Sequence, residues 1–238
     1  MSEQGTSHTG EIVASIAHDL RSPLNAIIGF SRVMLKGIDG PLSEMQATDL
    51  QAVYANGQAM LEMVDDLIDL AKAESGWLTP VPAPVHFPLL VQKACSLSGS
   101  ASRPILVAYP GGEDLPPAYA DLAQAQKAVD GLVVAATHLA GPGEIAVELT
   151  DDGMDVAMKV TCTSAEGLAP EAPHTIEAFR TSGASPEHRV NRTSLKLLVS
   201  SRLAALNGGT VQVMESSQTA LALVMRLPCS PTRVSGGY

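Results

Sequence analysis

The chain has 238 residues, 45% of them hydrophobic, which is enough for one large or two small buried cores. Its formal net charge of −10 argues against nucleic acid as a partner, because phosphates require clustered Lys and Arg. No apolar run approaches the ~20 residues of a membrane span, and no signal-peptide pattern opens the chain. The three cysteines (Cys95, Cys162 and Cys229) lack a metal-binding spacing, so we expect reduced thiols in a cytoplasmic protein with no membrane partner.

The first predicted element is a helix over residues 9–36, which ends at the turn sequence G-I-D-G-P (37–41). Its apolar positions are predicted to lie along one stripe, made of Ile16, Leu20, Leu24 and Ile27. At ~100° per residue, His18 is then expected to point outward, with Asp19 beside it and Ser22 one turn later. Pro23 removes the donor to the carbonyl of Asp19, so we expect the helix to bend or loosen there.

A second helix is predicted after Ser43, which with Gln46 matches a capping box. Small and apolar residues recur along it at heptad spacing, at Leu50, Tyr54, Gly57, Leu61, Val64, Ile68 and Ala71. Such a seam favours a supercoiled partner, and two hairpins can pair into a homodimeric four-helix bundle. An acidic group near the end of this helix, formed by Asp65, Asp66 and Asp69, is predicted to be a solvated face rather than a metal site.

Four prolines within residues 78–88 predict a linker between a first domain (1–77) and a second domain (89–228), followed by a tail (229–238). In the second domain we expect helices at 87–97, 119–140 and 194–206. Strands are expected at 104–109, 144–150, 154–162, 210–214 and 220–227, with a polar loop ahead of the last helix. Helices mixed with a largely antiparallel sheet indicate the α+β class.

Residues 18–24 read H-D-L-R-S-P-L, and this resembles the phosphoacceptor box of two-component sensor histidine kinases. The resemblance implies a dimerisation and histidine-phosphotransfer domain in which His18 accepts the phosphoryl group. A neutral imidazole is a good nucleophile near neutral pH, and the carboxylate of Asp19 can take the ring proton or fix the tautomer. The hydroxyl of Ser22 is expected to position water or phosphoryl oxygens.

The second domain resembles the ATP-binding domain that follows this hairpin in histidine kinases, which implies an ATPase-type α/β sandwich. The sequence markers are Glu74-Ser75-Gly76, Leu115-Pro116-Pro117, Ile176-Glu177-Ala178-Phe179 and Leu206-Asn207-Gly208-Gly209. Together with the phosphoacceptor box, the resemblance covers residues 12–227.

The nucleotide-handling residues of that family are altered in this chain. Two asparagines that direct magnesium fall on Gly131 and Ala135, which cannot ligate a hard cation. The aspartate that reads adenine falls on Thr163, in a box that keeps Gly167, and the glycine-rich phosphate loop falls on Ser194 and Lys196. We therefore expect no ATP or magnesium cofactor, and doubtful autokinase activity.

Three functions stay open on the sequence. The favoured one is a pseudokinase or histidine phosphotransferase that carries phosphoryl groups on His18 to or from response-regulator aspartates. The alternatives are an ATP- and magnesium-dependent sensor kinase with a divergent nucleotide site, and a non-enzymatic dimeric scaffold for regulators. Because so few residues precede the first helix, we expect any sensor to be a separate protein. The docking charges are predicted to be Asp19, Arg21, Arg32 and Lys36.

Overall fold

The computed structural model describes residues 3–38, 40–99, 105–110, 114–181 and 190–231, with residues 3–14, 17 and 18 described by their backbone alone. Most of the predicted tail (229–238) lies outside these residues. The chain divides into two compact units, Met1–Leu78 and Thr79–Tyr238. Among the described helices, none combines the length and the apolar character that crossing a bilayer requires.

The first unit is a helical hairpin of α1 (Glu3–Leu35) and α2 (Glu44–Glu74). The predicted capping box of α2 is confirmed, because the Ser43 hydroxyl accepts from the Gln46 amide at 3.3 Å and the Gln46 side chain accepts from the Ser43 amide at 3.0 Å. Helix α1 begins earlier than predicted and continues without interruption through Pro23.

The interior of the hairpin is built by the heptad seam of α2. Leu24 of α1 is buried in a cluster with Val64 and Ile68, against which Leu61 packs. One turn further along α1, Ile28 lies 3.0 Å from the point where a side chain on Gly57 would begin, so this glycine lets the helices approach closely. The seam was predicted to need a partner helix, and that partner is α1 of the same chain.

The apolar stripe predicted on α1 is divided between two surfaces. Leu24 is only 4% exposed and faces α2, whereas Ile16 and Ile27 are 55% and 45% exposed. The hairpin alone therefore buries only part of the predicted stripe, in line with the expectation that two antiparallel helices cannot bury all of their apolar faces. Helical periodicity grouped these residues correctly, but a stripe of this width is shared between α2 and a second, uncovered direction.

The second unit contains a five-stranded sheet in the order β2-β4-β5-β7-β6, and only the β2–β4 pair is parallel. These strands are β2 (Leu106–Ala108), β4 (Glu144–Asp151), β5 (Asp155–Thr163), β6 (Thr210–Ser216) and β7 (Ala220–Pro228). A separate antiparallel pair is formed by β1 (Ala83–Val85) and β3 (Ala118–Ala120). The helices are α3 (Phe87–Ser98), α4 (Leu122–Ala140), α5 (Ala172–Arg180) and α6 (Arg192–Leu206). Helix α4 packs against the sheet and against α6, which gives the predicted α/β sandwich.

Three local features differ from the predictions. Strand β1 forms inside the stretch predicted as a linker, and α5 forms inside the predicted polar loop. Helix α4 starts after Asp121 rather than at residue 119, because the Asp121 carboxylate accepts from the amides of Ala123 and Gln124 and so caps the helix.

Asp121 also joins three elements. Its second carboxylate oxygen accepts from the Val81 amide at 3.0 Å, and its own amide donates to the buried side chain of Asn207 at 2.7 Å. The Asn207 amide group donates in turn to Gln124 and to the carbonyl of Leu203. The start of α4 and the end of α6 therefore share one saturated hydrogen-bond network.

The cysteines behave as small core residues. Cys95 and Cys162 are buried, Cys229 is half-buried, and none forms a disulfide within the described residues. Burial raises the pKa of the Cys95 thiol to about 11, so it stays protonated and unreactive at neutral pH.

Gly209, at the turn between α6 and β6, provides a test of the second unit. A Cβ on Gly209 would overlap the carbonyl oxygen of Arg226 and would stand 2.8 Å from Leu227 Cδ2. We expect Gly209→Ala to lower the free energy of unfolding by about 3 kcal/mol, because backbone of β7 would have to move. As a control, Gly29→Ala has open space in α1 and should stabilise by ~0.5–1 kcal/mol. Urea titrations that gave equal effects would contradict this packing.

Candidate functional site

The candidate phosphoacceptor box lies on α1, in the part of the hairpin near the end of α2. Residues 18–24 are helical throughout, and the side chains of Asp19 and Ser22 are exposed. The helical register places position 18 one turn before Ser22. The side chain of His18 lies outside the described residues. The structure thus brings the three predicted site residues onto one continuous helix.

Arg21, inside the box, forms an ion pair with Asp65 of the other helix. Its Nε and Nη2 donate to one Asp65 oxygen at 2.8 and 2.7 Å, which ties α1 to α2 at the level of the box. Arg21 was predicted as a docking charge, and it also forms this ion pair. Asp65 was predicted as part of a solvated face and is 41% exposed, whereas Asp66 is only 5% exposed, so that prediction is wrong for Asp66.

A second contact on the same side of the hairpin orients Arg32. Its guanidinium lies 5.8 Å from the centre of the Tyr54 ring, which permits a cation–π interaction. The Tyr54 hydroxyl accepts from Gln58 at 3.1 Å, so the ring is itself held. We define the polar flank as Arg21, Arg32, Tyr54, Gln58 and Asp65. Helical periodicity places position 18 on the same side of α1 as this flank.

The opposite side of the hairpin is apolar. The contacts Arg21–Asp65 and Ile28–Gly57 fix the antiparallel register, and at this register three pairs of side chains lie at matching heights. They are Leu20 with Leu67, Ile27 with Met60, and Met34 with Val53, and they define the apolar flank. All six are 42–50% exposed in the single chain. A contiguous apolar surface of this kind marks an interaction site.

In the second unit, the two positions expected to hold metal ligands lie in α4. Ala135 is 0% exposed and therefore belongs to the core. Gly131 faces α6, where a Cβ on Gly131 would overlap Ser200 Oγ. Neither position offers an oxygen ligand, and no group of three or more His, Cys, Asp or Glu residues within the described chain could hold a metal ion. These residues do not fit a magnesium-bound nucleotide.

The position expected for phosphate binding is the start of α6, where the amides of Ser194 and Leu195 already donate hydrogen bonds within the chain. Ser194 is buried, its amide donates to Asn191 Oδ1 at 2.8 Å, and its hydroxyl accepts from the Asn191 amide at 2.9 Å. The Leu195 amide donates to the Asn191 carbonyl at 2.9 Å. Asn191 also donates to Thr175 of α5 at 2.8 Å. A helix start closed by its own capping box has fewer free donors for an anion. Lys196 follows, half-buried.

The position expected to read adenine is at the end of β5. Thr163 ends β5 and lines an open cleft of about 660 Å³ at one end of the sheet, together with Gly143, Glu144 and Thr219. Gly167 has a φ of +100°, so it is retained where the backbone needs a glycine. Thr163 is exposed, whereas Ala135 and Ser194 are buried.

Sequence reasoning missed the residues that cap the start of α6 and join it to α4. The capping pair of Asn191 and Ser194 has the same spacing as a capping box and could have been found from it. The contact between Gly131 and Ser200, and that between Nδ1 of His138 and the Thr193 hydroxyl at 3.4 Å, join distant parts of the chain and left no local signal.

The H-D-L-R-S-P-L box on a helical hairpin, followed by a mixed sheet under a helical layer, matches what the resemblance to two-component sensor histidine kinases implies. The chain is related to that family, since residues 9–76 match the family model described as His Kinase A (phospho-acceptor) domain. It is 26% identical over 220 residues to histidine protein kinase DivJ of Caulobacter vibrioides, covering 91% of this chain and 36% of DivJ. The chain spans only 10–36% of the length of the first curated relatives it matches.

Solved structures show the same fold. Full-length ShkA in complex with AMPPNP matches with a TM-score of 0.68 at 23% identity, over 92% of this chain and 45% of that one. The histidine kinase ThkA in complex with response regulator protein TrrA matches with a TM-score of 0.60 at 16% identity, over 94% and 63% of the two chains. The predicted resemblance to histidine kinases and the predicted fold class are confirmed.

The ion pair and the apolar cluster of the hairpin should differ sharply in strength. Arg21 and Asp65 are 43% and 41% exposed, so Asp65→Asn should cost under ~1 kcal/mol, and less in high salt, because water and ions screen the pair. Leu24→Ala should cost about 2–5 kcal/mol, because it leaves a cavity between the helices. Thermal unfolding followed by helical circular dichroism measures both. A larger effect for Asp65→Asn would contradict the assignment.

Proposed function

We propose that this chain is a histidine phosphotransfer protein in which His18 exchanges a phosphoryl group with the aspartate of response-regulator receiver domains. The observation that carries the proposal is the complete H-D-L-R-S-P-L box, held on one uninterrupted helix with Asp19 and Ser22 exposed. The family match over residues 9–76 and the fold shared with ThkA, which was solved with a response regulator, support a receiver as the partner.

In the proposed step, the lone pair of one ring nitrogen of His18 attacks the phosphorus of an aspartyl phosphate. A P–N bond forms as the P–O bond to the aspartate breaks, and the aspartate leaves as a carboxylate. Asp19 holds the proton on the other ring nitrogen, which keeps the attacking nitrogen unprotonated and stabilises the charge that develops on the ring. Transfer to a second receiver is the reverse step. The receiver supplies its own magnesium and acidic residues, so the chain needs none.

The partner of the apolar flank is proposed to be a second copy of this chain. Six large side chains at matching heights would be covered by the same flank of another hairpin, which gives a four-helix bundle. Each aliphatic side chain removed from water contributes ~1.5–3 kcal/mol at full burial. Dimerisation through this flank leaves the polar flank, and the side of α1 that carries position 18, open to a receiver.

Autokinase activity is the less supported alternative. AMPPNP bound by ShkA shows that a protein of this fold takes a nucleotide, but Ala135 and Ser194 are buried here and neither Gly131 nor Ala135 offers a ligand. The scaffold alternative needs no chemistry at His18. It is separated from phosphotransfer by the activity of the variants below.

The first test measures phosphoryl exchange without ATP. Receiver domains from the same genome are phosphorylated with acetyl phosphate, purified and mixed with this chain. We expect rapid loss of label from one or a few of them and its appearance on the chain, because aspartyl phosphate is a high-energy donor. His18→Gln should abolish transfer completely, since no nitrogen nucleophile remains at that position. A transfer rate for His18→Gln equal to that of the unmodified chain would rule out His18 as the carrier.

Two matched variants separate the supporting roles. Asp19→Asn should slow transfer by about 10²–10⁴-fold without abolishing it, because it changes proton position and not the bond formed. Ser22→Ala should leave transfer nearly unchanged and should alter the hydrolysis of a receiver's phosphoryl group. Both residues are exposed, so the free energy of unfolding should stay within about 0.5 kcal/mol of that of the unmodified chain. Loss of transfer in Ser22→Ala alone would place the essential chemistry elsewhere.

The dimer is tested on the apolar flank. Ile27→Lys should convert dimers to folded monomers in light scattering, because a charge would be buried at the centre of the interface. Asn25→Lys changes a nearby exposed residue of α1 on another side and should leave the dimer intact. Leu61 is unsuitable for this purpose, because it packs inside the hairpin. A monomeric unmodified chain would overturn the bundle.

A further inference from the structure

We infer that direct packing of α6 on α4 has replaced the metal–nucleotide site of the second unit, so that restoring the two asparagines would not restore Mg-ATP binding. This inference goes beyond the phosphotransfer proposal and does not depend on His18. It concerns why the second unit would not bind Mg-ATP even with both asparagines introduced, and it rests on three observations within that unit.

The first contact joins Gly131 and Ser200. A side chain on Gly131 would overlap Ser200 Oγ at its first carbon, and would stand 3.5 Å from the carbonyl oxygen of Lys196. An asparagine is larger still, and its amide would have to enter the space that α6 already fills. With the Ser200 hydroxyl in its present position, only a residue without a side chain fits at position 131, so Gly131 has a packing role beside the loss of a ligand.

Ser200 itself shows how closed this contact is. Ser200 is 1% exposed, and its buried hydroxyl has no hydrogen-bond partner among the described residues. A buried hydroxyl without a partner is unfavourable, because it has lost its hydrogen bonds to water. The hydroxyl therefore lies in a contact that excludes water, which is the opposite of a hydrated metal site.

The second and third observations concern Ala135 and His138, which lie one and two turns along α4 towards the start of α6. Ala135 is fully buried, so an asparagine there would place an amide in the core without a partner. His138 Nδ1 lies 3.4 Å from Thr193 Oγ1, at the start of α6. Ser194 beside it closes the capping box with Asn191. The phosphate-binding end of the expected site is thus joined to α4 by side chains of this chain.

A double-mutant cycle on the first contact tests the closure without any ligand. We expect Gly131→Ala to lower the Tm by about 3 °C or more, because the new methyl group overlaps the Ser200 hydroxyl. Ser200→Ala should leave the Tm unchanged or raise it, because it removes an unpartnered hydroxyl. In the Ser200→Ala background, Gly131→Ala should raise the Tm, because alanine is the better helix former and the overlap is gone. Additive effects of the two changes would overturn the inference.

Nucleotide binding is tested by calorimetric titration with Mg-ATP. The unmodified chain and the Gly131→Asn/Ala135→Asn variant are both expected to show no heat of binding up to millimolar Mg-ATP. Asp130→Asn, which introduces the same amide next to Gly131 on the less buried side of α4, should keep the Tm of the unmodified chain. If the double variant has a lowered Tm or fails to fold while Asp130→Asn folds, the asparagines are excluded by packing, as expected.

Micromolar Mg-ATP binding by a Gly131→Asn/Ala135→Asn variant of unchanged Tm would overturn the inference, because the site would then lack only two ligands. Failure of phosphoryl exchange at His18 is a separate result, since that assay contains no ATP and the variants change only α4 and α6. Micromolar Mg-ATP binding by the unmodified chain would overturn this inference, and would also favour the autokinase alternative.

Discussion

The packing of α1 on α2 is the interaction on which the rest of the first unit depends. Leu24, Val64 and Ile68 bring the helices together, and Gly57 allows Ile28 to approach closely. Once this seam is fixed, helical periodicity sets the direction of the side chains on either side of it. One side presents the six residues of the apolar flank, and the other presents Arg32 over Tyr54. The proposed dimer interface and the proposed docking side are separate because a single seam divides the hairpin.

The elements that were predicted correctly carry their signals locally. Helix α2 was found from Ser43, Gln46 and a seven-residue periodicity, and the strands β4 and β5 from alternation around a glycine turn. Helix α5 was missed because it spans only Ala172–Arg180 and begins beside prolines and acidic residues that also suit a loop. The start of α4 was misplaced because Asp121 competes with the helix as a capping residue.

What the sequence left open is which neighbour covers each surface. Periodicity showed that Leu24 and Ile27 share a stripe, but a helix sequence does not state whether its stripe meets one partner or two. Charge type showed Arg21 and Arg32 as cations, but their use within the hairpin depends on Asp65 and Tyr54, which lie on the other helix. The same holds for Gly131, whose loss of a side chain was visible in the sequence and whose contact with Ser200 was not.

The network around Asn207 bears on motion in the second unit. Its side-chain oxygen accepts from Asp121 at the start of α4, and its nitrogen donates to Gln124 and to Leu203 near the end of α6. Because Asp121 supplies a donor and Leu203 an acceptor, the side-chain amide of Asn207 satisfies both in only one orientation. Helices α4 and α6 are thus pinned at one end by Asn207 and at the other by the neighbourhood of His138 and Thr193. A pair of helices held at both ends resists sliding and hinge opening, so α4 and α6 keep one relative position within the second unit.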